Sequence, residues 1–291
     1  MIRQIKQTLF FIFSISLLVF SFKSVSSEES YPQRIVSLGP ALTEELYLLG
    51  AEDRIVGVTT YCPHPPDTEN KEKVGTVVKV NLEKIVILKP DLVLTTSLTD
   101  LKAVKKLNDL GIKVVSFSPA KSFFQICEQF LRLGRIIGRE KEATEIVRQV
   151  KMEVELIKKR IKGLPEQKVF FQIGARPLYT ATKDSFINDF IEFAGGRNIA
   201  GGSKSGFYSR EKVLKDNPDV IIITTMGIAG KEEMGVWQKF KALKAAENNR
   251  IYIVDSNKFC RPTPVSFVKA LAEIVEILQP HTSYRHVDAN R

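Results

Sequence analysis

The chain has 291 residues, of which 44% are hydrophobic and 26% are charged. This length suits two modest domains or one large one, and the composition excludes a disordered chain and a protein with many membrane spans. The formal net charge is +10, but the bases are spread over solvated helix faces and form no stripe interleaved with aromatic residues. We therefore do not expect a nucleic-acid-binding protein.

Residues 1–27 have the pattern of a secretory signal peptide. Arg3 and Lys6 precede an apolar run at 8–22, and small polar residues follow it. The run is shorter than the roughly 20 residues that span a bilayer, so we expect cleavage at the end of this stretch. An uncleaved membrane anchor is the alternative. No cysteine lies near the exit, and we therefore expect an exported periplasmic protein without a lipid anchor.

The first half of the chain, residues 33–139, alternates short apolar strands with helices. In chain order these are a strand RIVSLG (34–39), a helix PALTEELYLLG (40–50), a strand RIVGVT (54–59), a helix and strand NLEKIVILKPDLVLTT (81–96), and a helix and strand LKAVKKLNDLGIKVVSFS (101–118). The strands are nearly uniform in apolar character, which is typical of strands buried on both faces of a parallel sheet.

A single long helix is predicted over residues 140–163. Apolar residues recur there in steps of three and four, at positions 143, 146, 147, 150, 154, 157 and 161. This spacing defines one apolar face of a helix that would be roughly 35 Å long. We interpret it as the connection between two lobes.

The second half, residues 164–280, repeats the order of the first. In chain order it contains a strand KVFFQIG (168–174), a helix SFINDFIEFAGG (185–196), a helix and strand SREKVLKDNPDVIIITT (209–225), and a helix and strand VWQKFKALKAAENNRIYIVDS (236–256). Residues 281–291 form a tail to which the sequence assigns no role.

The clearest evidence of duplication is the match between residues 81–96 and 209–225. Each segment begins with a helix-cap residue, places Glu-Lys in the first turn, and ends its helix before Pro-Asp and a β-branched strand. The offset is 128 from Glu83 to Glu211 and again from Pro90 to Pro218. The sequence therefore predicts two α/β lobes with parallel sheets, joined by one long helix, with a ligand cleft between them.

The segment YCPHPP at residues 61–66 brings a phenol, a thiol and an imidazole together. A metal site is not supported, because the other histidines, His281 and His286, lie in the tail and a structural zinc site needs four ligands. A catalytic pair of Cys62 and His64 lacks an orienting acid and an oxyanion motif. Since the segment follows a predicted strand, we expect it to be a wall of the cleft.

The remaining cysteines have separate interpretations. Cys127 lies in a helical pattern of apolar residues, which predicts a buried and inert thiol. A disulfide between Cys62 and Cys260 is compatible with an oxidising compartment, but the sequence does not bring the two residues together. That pairing stays open.

Together these motifs resemble those of the substrate-binding proteins of ABC importers for metal chelates, and most of all the periplasmic cobalamin-binding proteins. The resemblance extends from about Arg34 to Leu278. It rests on the motifs RIVSLGPALTEELYLLG, VGVTTYCPHPP, NLEKIVILKPDLV, FQIG with YTATKDSFINDFIEFAGGRNI, SREKVL and RIYIVD. It implies a monomeric binding protein that is not an enzyme and that has no resident cofactor or metal.

The resemblance implies a docking role for the repeated glutamates. In such proteins one glutamate of each lobe meets an arginine of one permease subunit, and Glu83 and Glu211 stand at the matching positions. The alternative is that each glutamate only complements the dipole of its helix, which is worth about 0.3–1 kcal/mol and needs no partner. The symmetry of the pair favours docking on a two-fold partner.

The resemblance also implies a set of ligand contacts in the cleft. An ordinary exposed loop residue is the alternative for each of them. The predicted contacts are Tyr61, Tyr179 and Arg261, with Asn257 where relatives have an acid, and with Tyr208 and Arg176 at the rim.

Cobalamin-binding relatives have several tryptophans in the pocket, and here the sequence departs from them. Trp237 is the only tryptophan, in a helical segment where core packing is expected. Val77 and Thr96 stand at two of the tryptophan positions, and the third falls near Ser205. A ferric siderophore therefore stays an alternative ligand, since Arg176 and Arg261 suit an anion, and so does haem, with Tyr61 or Tyr179 as axial ligand.

An exported α/β enzyme is the remote alternative. The sequence contains no G-x-G-x-x-G after a strand, no Walker lysine loop and no G-x-S-x-G elbow. We therefore expect a binding protein.

Overall fold

The computed structural model describes residues 31–224 and 229–280. The predicted signal peptide and the tail with His281 and His286 lie outside the described residues. Within these two ranges, none of the helices combines the length and the apolar composition that crossing a membrane requires.

The N-terminal lobe alternates strands and helices as the sequence predicts. Its elements are β1 (Ile35–Ser37), α1 (Pro40–Leu48), β2 (Ile55–Val58), β3 (Glu72–Lys73), α2 (Leu82–Ile87), β4 (Leu92–Thr96), α3 (Leu101–Asp109), β5 (Val114–Phe117) and α4 (Phe123–Ile137). Its sheet has the order β3-β2-β1-β4-β5, and every pair in it is parallel.

The long helix α5 (Glu140–Ile161) leads into the C-terminal lobe. The elements of that lobe are β6 (Gln167–Ala175), β7 (Leu178–Thr180), α6 (Phe186–Phe193), β8 (Gly196–Asn198), α7 (Arg210–Asp216), β9 (Val220–Ile223), α8 (Ala229–Gln238), α9 (Lys244–Glu247), β10 (Ile251–Ile253), α10 (Ser256–Cys260) and α11 (Pro264–Leu278). Two parallel-sheet lobes joined by one helix confirm the predicted fold class.

The two sheets repeat one strand order, which confirms the duplication. The order β1-β4-β5 in the first lobe corresponds to β6-β9-β10 in the second. The C-terminal sheet departs from a purely parallel sheet at one edge, where β7 runs antiparallel to β6 and β8 pairs with the first residues of β6. Only Arg176 and Pro177 join β6 to β7, and a two-residue connection permits only a hairpin.

The repeated Pro-Asp motif clamps the first strand of each lobe. The Asp91 carboxylate accepts hydrogen bonds from the backbone N–H groups of Gln33 and Arg34, at 2.7 and 3.0 Å. At the equivalent place in the second lobe, Asp219 accepts one from the N–H of Lys168, at 2.8 Å. The aspartate thus ties the segment after each short helix to the start of a central strand.

Two equivalent residues end these short helices in the left-handed region. Lys89 and Asn217 both have a φ of 46°, and each stands directly before the proline of its repeat. The guanidinium of Arg34 donates to the carbonyl of Leu88 at 2.7 Å, and the Nζ of Lys168 donates to the carbonyl of Asp216 at 3.3 Å. Both helix ends therefore have partners for a carbonyl that the helix leaves unpaired.

Helix α5 buries the face that its sequence predicts. The buried residues are Ala143, Val147, Val150, Val154, Ile157 and Ile161. They belong to one hydrophobic core that also contains residues of both sheets and of α4 and α11. The two lobes therefore share a continuous core along this helix.

An aromatic cluster joins the lobes beside α5. The ring of Phe267 stacks on Phe190 with centroids 4.2 Å apart and lies 4.6 Å from Phe123 of the first lobe. The backbone N–H of Phe123 donates to the Asp189 carboxylate at 2.7 Å, so the start of α4 is bonded to α6. Stacked and edge-on aromatic contacts of this kind add to the free energy gained by burial.

The predictions for Cys127 and Trp237 are both confirmed. Both side chains have no exposed surface. Burial raises the pKa of the Cys127 thiol to about 12, which makes it unreactive. The indole of Trp237 donates to Oε1 of Gln172 at 2.7 Å inside the second lobe.

Glu45 is a buried acid that the sequence analysis did not single out. It lies on α1 with 5% of its surface exposed, beside the leucines with which that helix enters the core. Burial, with a smaller contribution from the charge of Glu44, raises the pKa of Glu45 to about 8. The side chain is therefore mostly protonated at neutral pH.

We expect Glu45 to make the protein less stable as the pH rises from about 4.5 to about 8. Across that window the folded protein keeps a proton that the unfolded chain releases, and each pH unit costs roughly 1.4 kcal/mol. Glu45→Gln should remove most of this dependence. The free energy of unfolding of the variant, relative to that of the wild type, should therefore be higher at pH 8.5 than at pH 5. Urea unfolding at both pH values measures it, with the exposed Glu69→Gln as control. Parallel pH profiles of wild type and Glu45→Gln would contradict the prediction.

Candidate ligand cleft and docking helices

The YCPHPP segment is held in place from its cysteine. Cys62 is buried, and its Sγ forms hydrogen bonds with the hydroxyls of Thr59 and Thr43, at 3.2 and 3.3 Å. The hydroxyl of Thr68 donates to the carbonyl of Cys62 at 2.7 Å. The thiol therefore anchors the loop after β2 to Thr43 of helix α1 and to Thr59 at the end of β2. The side chain of Tyr61 stays exposed to solvent.

All three cysteines are free in the structure. The Sγ of Cys62 is hydrogen-bonded to two threonines of the N-terminal lobe. The Sγ of Cys260 lies 3.8 Å from the hydroxyl of Thr224, and both of these residues belong to the C-terminal lobe. Among the residues that the structure describes, no three His, Cys, Asp or Glu side chains are grouped to hold a metal ion.

A small hollow, open to solvent, lies where the two lobes meet. From the first lobe it is lined by Pro40, Ala41, Glu44, Pro63 and His64, and from the second by Asn257 and Arg261. The structure thus brings Asn257 and Arg261 against the YCPHPP loop. These residues follow the carboxyl ends of β1, β2 and β10, the edge at which α/β sheets bind ligands.

Charged groups of both signs face this hollow. The guanidinium of Arg261 donates to Oδ1 of Asn257, which orients it. Burial raises the pKa of Glu44, and the nearby charges of His64 and Lys269 oppose that rise. The floor of the cleft therefore combines an acid with bases, a pattern that the sequence analysis did not predict.

Tyr179 forms one half of an aromatic pair at the carboxyl edge of the second sheet. Its ring meets Phe207 edge-on, with centroids 5.4 Å apart and planes at 83°, and the two residues form a β-bridge. A Cβ at Gly206 would lie 2.3 Å from the Tyr179 ring. A side chain at that position is therefore excluded, and the glycine lets the ring lie flat over the backbone.

Sequence reasoning missed Phe207, which is 63% exposed. It lies in the segment GGSKSGFYS, two residues from the Ser205 position that the tryptophan comparison had indicated. A large aromatic residue in a loop of small polar residues was the available signal, since such a ring has no core to enter.

The N-terminal lobe has exposed apolar side chains, one tyrosine and three aliphatic residues, in the segments that follow its strands. We call Tyr61, Val78, Leu98 and Leu101 the apolar rim; all four are exposed and follow the ends of strands β2, β3 and β4. Val77 and Thr96, at the tryptophan positions, are only partly exposed. Leu98 and Leu101 therefore supply exposed apolar surface on the lobe in which Val77 and Thr96 replace tryptophans.

The two predicted rim residues differ in their surroundings. Arg176 is exposed in the turn of the β6–β7 hairpin. The hydroxyl of Tyr208 donates to the Asp216 carboxylate at 2.8 Å, and its ring lies 5.6 Å from that of Phe170. These contacts tie Tyr208 to the end of α7 and to the core of the second lobe.

Helices α2 and α7 carry Glu83 and Glu211 in their first turns, and both side chains are exposed. The predicted caps are confirmed: Oδ1 of Asn81 accepts from the N–H of Lys84 at 3.0 Å, and Oγ of Ser209 accepts from that of Lys212 at 3.2 Å. Each helix begins at the carboxyl edge of its own sheet, and in the first lobe the YCPHPP loop follows β2 at the same edge.

The charge on Glu211 is stabilised locally. Hydrogen bonds from its own backbone N–H and from the Ser209 hydroxyl hold the pKa of Glu211 below its usual range. The preceding residue, Arg210, donates to the buried Glu233 at 2.6 Å, and Gln172 donates to the same carboxylate at 2.9 Å. This network ties α7 to the sheet and keeps the exposed carboxylate in a defined place.

Comparison with known proteins agrees with this architecture. The family model described as periplasmic binding protein matches residues 35–258. The chain belongs to the periplasmic binding protein family.

Three relatives illustrate the range of this periplasmic binding protein's neighbours. The chain is 34% identical to an uncharacterized ABC transporter substrate-binding lipoprotein of Bacillus subtilis, over 86% of this chain and 81% of that one. It is 26% identical to a vitamin B12-binding protein of Vibrio vulnificus, over 87% and 92%. It is 32% identical to the solved structure of a possible iron-binding (periplasmic solute-binding) protein of Staphylococcus epidermidis, with a TM-score of 0.78 over 86% and 100%.

Membership settles the class of function. A periplasmic binding protein of this kind is the substrate-binding component of an ABC importer and is not an enzyme. It acts outside the cytoplasm, together with the permease in the membrane. The alternative of an exported α/β enzyme is therefore wrong.

Proposed function

We propose that this protein binds a corrinoid, cobalamin in the first place, and delivers it to the permease of an ABC importer. The observation that carries the proposal is the division of the cleft into apolar walls and a polar floor. The apolar rim belongs to the N-terminal lobe and the Tyr179–Phe207 pair to the C-terminal lobe. Arg261, Asn257 and Glu44 line the hollow where the lobes meet. Large flat ligands are held by apolar walls with a few polar anchors.

Similarity to vitamin B12-binding proteins over most of the chain supports this choice. The contacts that we propose are Tyr61, Tyr179, Arg261 and Asn257, as predicted from the sequence, with Phe207, Leu98 and Leu101 added from the structure. Arg176 and Tyr208 stay proposed rim contacts. The bound chelate is the cargo, and we propose no resident cofactor.

A haem or ferric siderophore is the second candidate ligand. The observation that favours it is the pair of exposed phenols, Tyr61 and Tyr179, one on each lobe. A phenolate is a ligand for ferric iron, and one relative is described as a possible iron-binding protein.

We further propose that Glu83 and Glu211 dock on the permease and that the mature protein is a monomer without a lipid anchor. The exposed, capped positions of the two glutamates support docking. The relative from Bacillus subtilis is named a lipoprotein, so mass spectrometry of the exported protein is the direct check.

Titration of the purified mature protein with a panel of chelates tests the proposed function. Cyanocobalamin should bind with a micromolar or lower Kd, and more tightly than haemin or ferrichrome. Phe207→Ala should weaken the binding of cyanocobalamin about tenfold, since loss of a central aromatic contact costs roughly 1.4 kcal/mol or more. Absorption titration and calorimetry measure both effects.

Phe124→Ala is the matched control, because Phe124 is 58% exposed but lies on α4, outside the cleft. It should leave the affinity unchanged. Tighter binding of haemin or of ferrichrome would replace cobalamin by that ligand, and no binding of any chelate would refute the proposed function.

A further inference from the structure

Among the described residues that line the hollow between the lobes, Glu44 is the one acid. It is partly buried on α1, and it lines the hollow together with His64 and Arg261. The charges of His64 and Lys269 lie near enough to influence its pKa. Among the residues that the structure describes, none donates a hydrogen bond to its carboxylate. A ligand that covers the hollow would remove the remaining water from this group.

A carboxylate that loses its water must gain a donor, or binding is weakened. Arg261 is directed to Asn257, and the nearby charges of His64 and Lys269 act on Glu44 without bonding to it. The described side chains around the hollow therefore leave the acceptor sites of Glu44 to the ligand. A ligand with N–H groups at its edge satisfies them, whereas a ligand with carboxylates at its edge places like charges side by side.

We propose that Glu44 is a specificity-determining residue that accepts a hydrogen bond from a carboxamide of the ligand and rejects chelates with carboxylate edges. The inference rests on the proposed function and makes it more specific. Corrinoids carry a ring of carboxamide side chains, which are N–H donors, and haem carries two propionates, which are not. Arg261 beside Glu44 then takes an acceptor of the same ligand, so the floor of the cleft reads a donor and an acceptor together.

Binding of three probes to the wild type and to Glu44→Gln tests the inference. Cyanocobalamin carries the amides, dicyanocobyrinic acid heptamethyl ester is a corrinoid without N–H donors, and haemin carries carboxylates. Glu44→Gln should bind cyanocobalamin about tenfold to a hundredfold more weakly, as expected for loss of a charge-assisted hydrogen bond. The ester should bind both proteins equally, and haemin should bind the variant more tightly than the wild type.

Two further variants keep the test decisive. Glu69→Gln removes an exposed acid that does not line the hollow and should leave all three affinities unchanged. Glu44→Asp keeps the negative charge and should still bind cyanocobalamin more tightly than haemin. This comparison stays informative if Glu44→Gln lowers the melting temperature of the protein.

The outcomes separate this inference from the proposed function. If the wild type binds cyanocobalamin and Glu44→Gln binds all three probes as the wild type does, the role of Glu44 is wrong and the corrinoid proposal stands. If the ester and cyanocobalamin lose affinity equally in Glu44→Gln, the residue acts on packing and the inference is also overturned. If the wild type binds none of the probes, the proposed function fails and this inference fails with it.

Discussion

Exchange of both Glu83 and Glu211 for lysine is expected to abolish uptake of the chelate and to leave its affinity for the purified protein unchanged. Both carboxylates are exposed in the first turn of a capped helix, and Glu211 is held in its charged form. Loss of one partner of an interfacial charge pair costs about 2–5 kcal/mol, and reversal adds repulsion. Each single reversal should therefore reduce transport at least tenfold.

Uptake in cells or in reconstituted liposomes with the cognate permease measures this effect, and calorimetry measures ligand affinity. The double variant Glu128→Lys/Glu153→Lys is the matched control, because both residues are exposed on α4 and α5, away from the sheet edges. It changes the net charge by the same amount and should transport normally. Unimpaired transport by the Glu83→Lys/Glu211→Lys protein would refute docking, and so would an equal loss of ligand affinity.

Phe267→Ala is expected to lower the free energy of unfolding by about 3–5 kcal/mol. Phe267 is fully buried and contacts Phe190 of one lobe and Phe123 of the other. Truncation leaves a cavity at the junction, because three ring systems fixed on three helices cannot all move to fill it. The melting temperature should fall by roughly 10 °C.

Urea and thermal unfolding measure this loss, with the exposed Phe124→Ala as control. Removal of that ring should cost less than about 1 kcal/mol. A loss of less than 1 kcal/mol in Phe267→Ala would show that the aromatic cluster contributes little to holding the lobes together.

The fold class was predictable because the signals that define it are local. Caps at Asn81 and Ser209, a Pro-Asp step after each short helix, and one apolar stripe along residues 140–163 each depend on neighbours a few residues apart. A constant offset of 128 then predicts two copies of one unit. Repetition of the strand order in both sheets confirms it.

The features that the sequence did not predict depend on how segments are placed in the folded chain. The antiparallel strand β7 was missed because the predicted strand ends at residue 174, and no strand was predicted between there and the helix at residue 185. Tyr208 stays a predicted rim residue, and only the structure shows that its hydroxyl donates to Asp216 at the end of α7. Phe207 was missed because exposure is decided by where the loop lies, and residue type does not show it.

The sequence by itself determined that an α/β unit is duplicated, that a helix of about six turns joins the copies, and that an acid opens one short helix in each. Periodicity and capping suffice for this, since both are properties of a single segment. Only the tertiary structure decided what lies in the cleft. Glu44 and Arg261 stand some two hundred positions apart in the sequence, so their placement around one hollow follows from how the lobes pack.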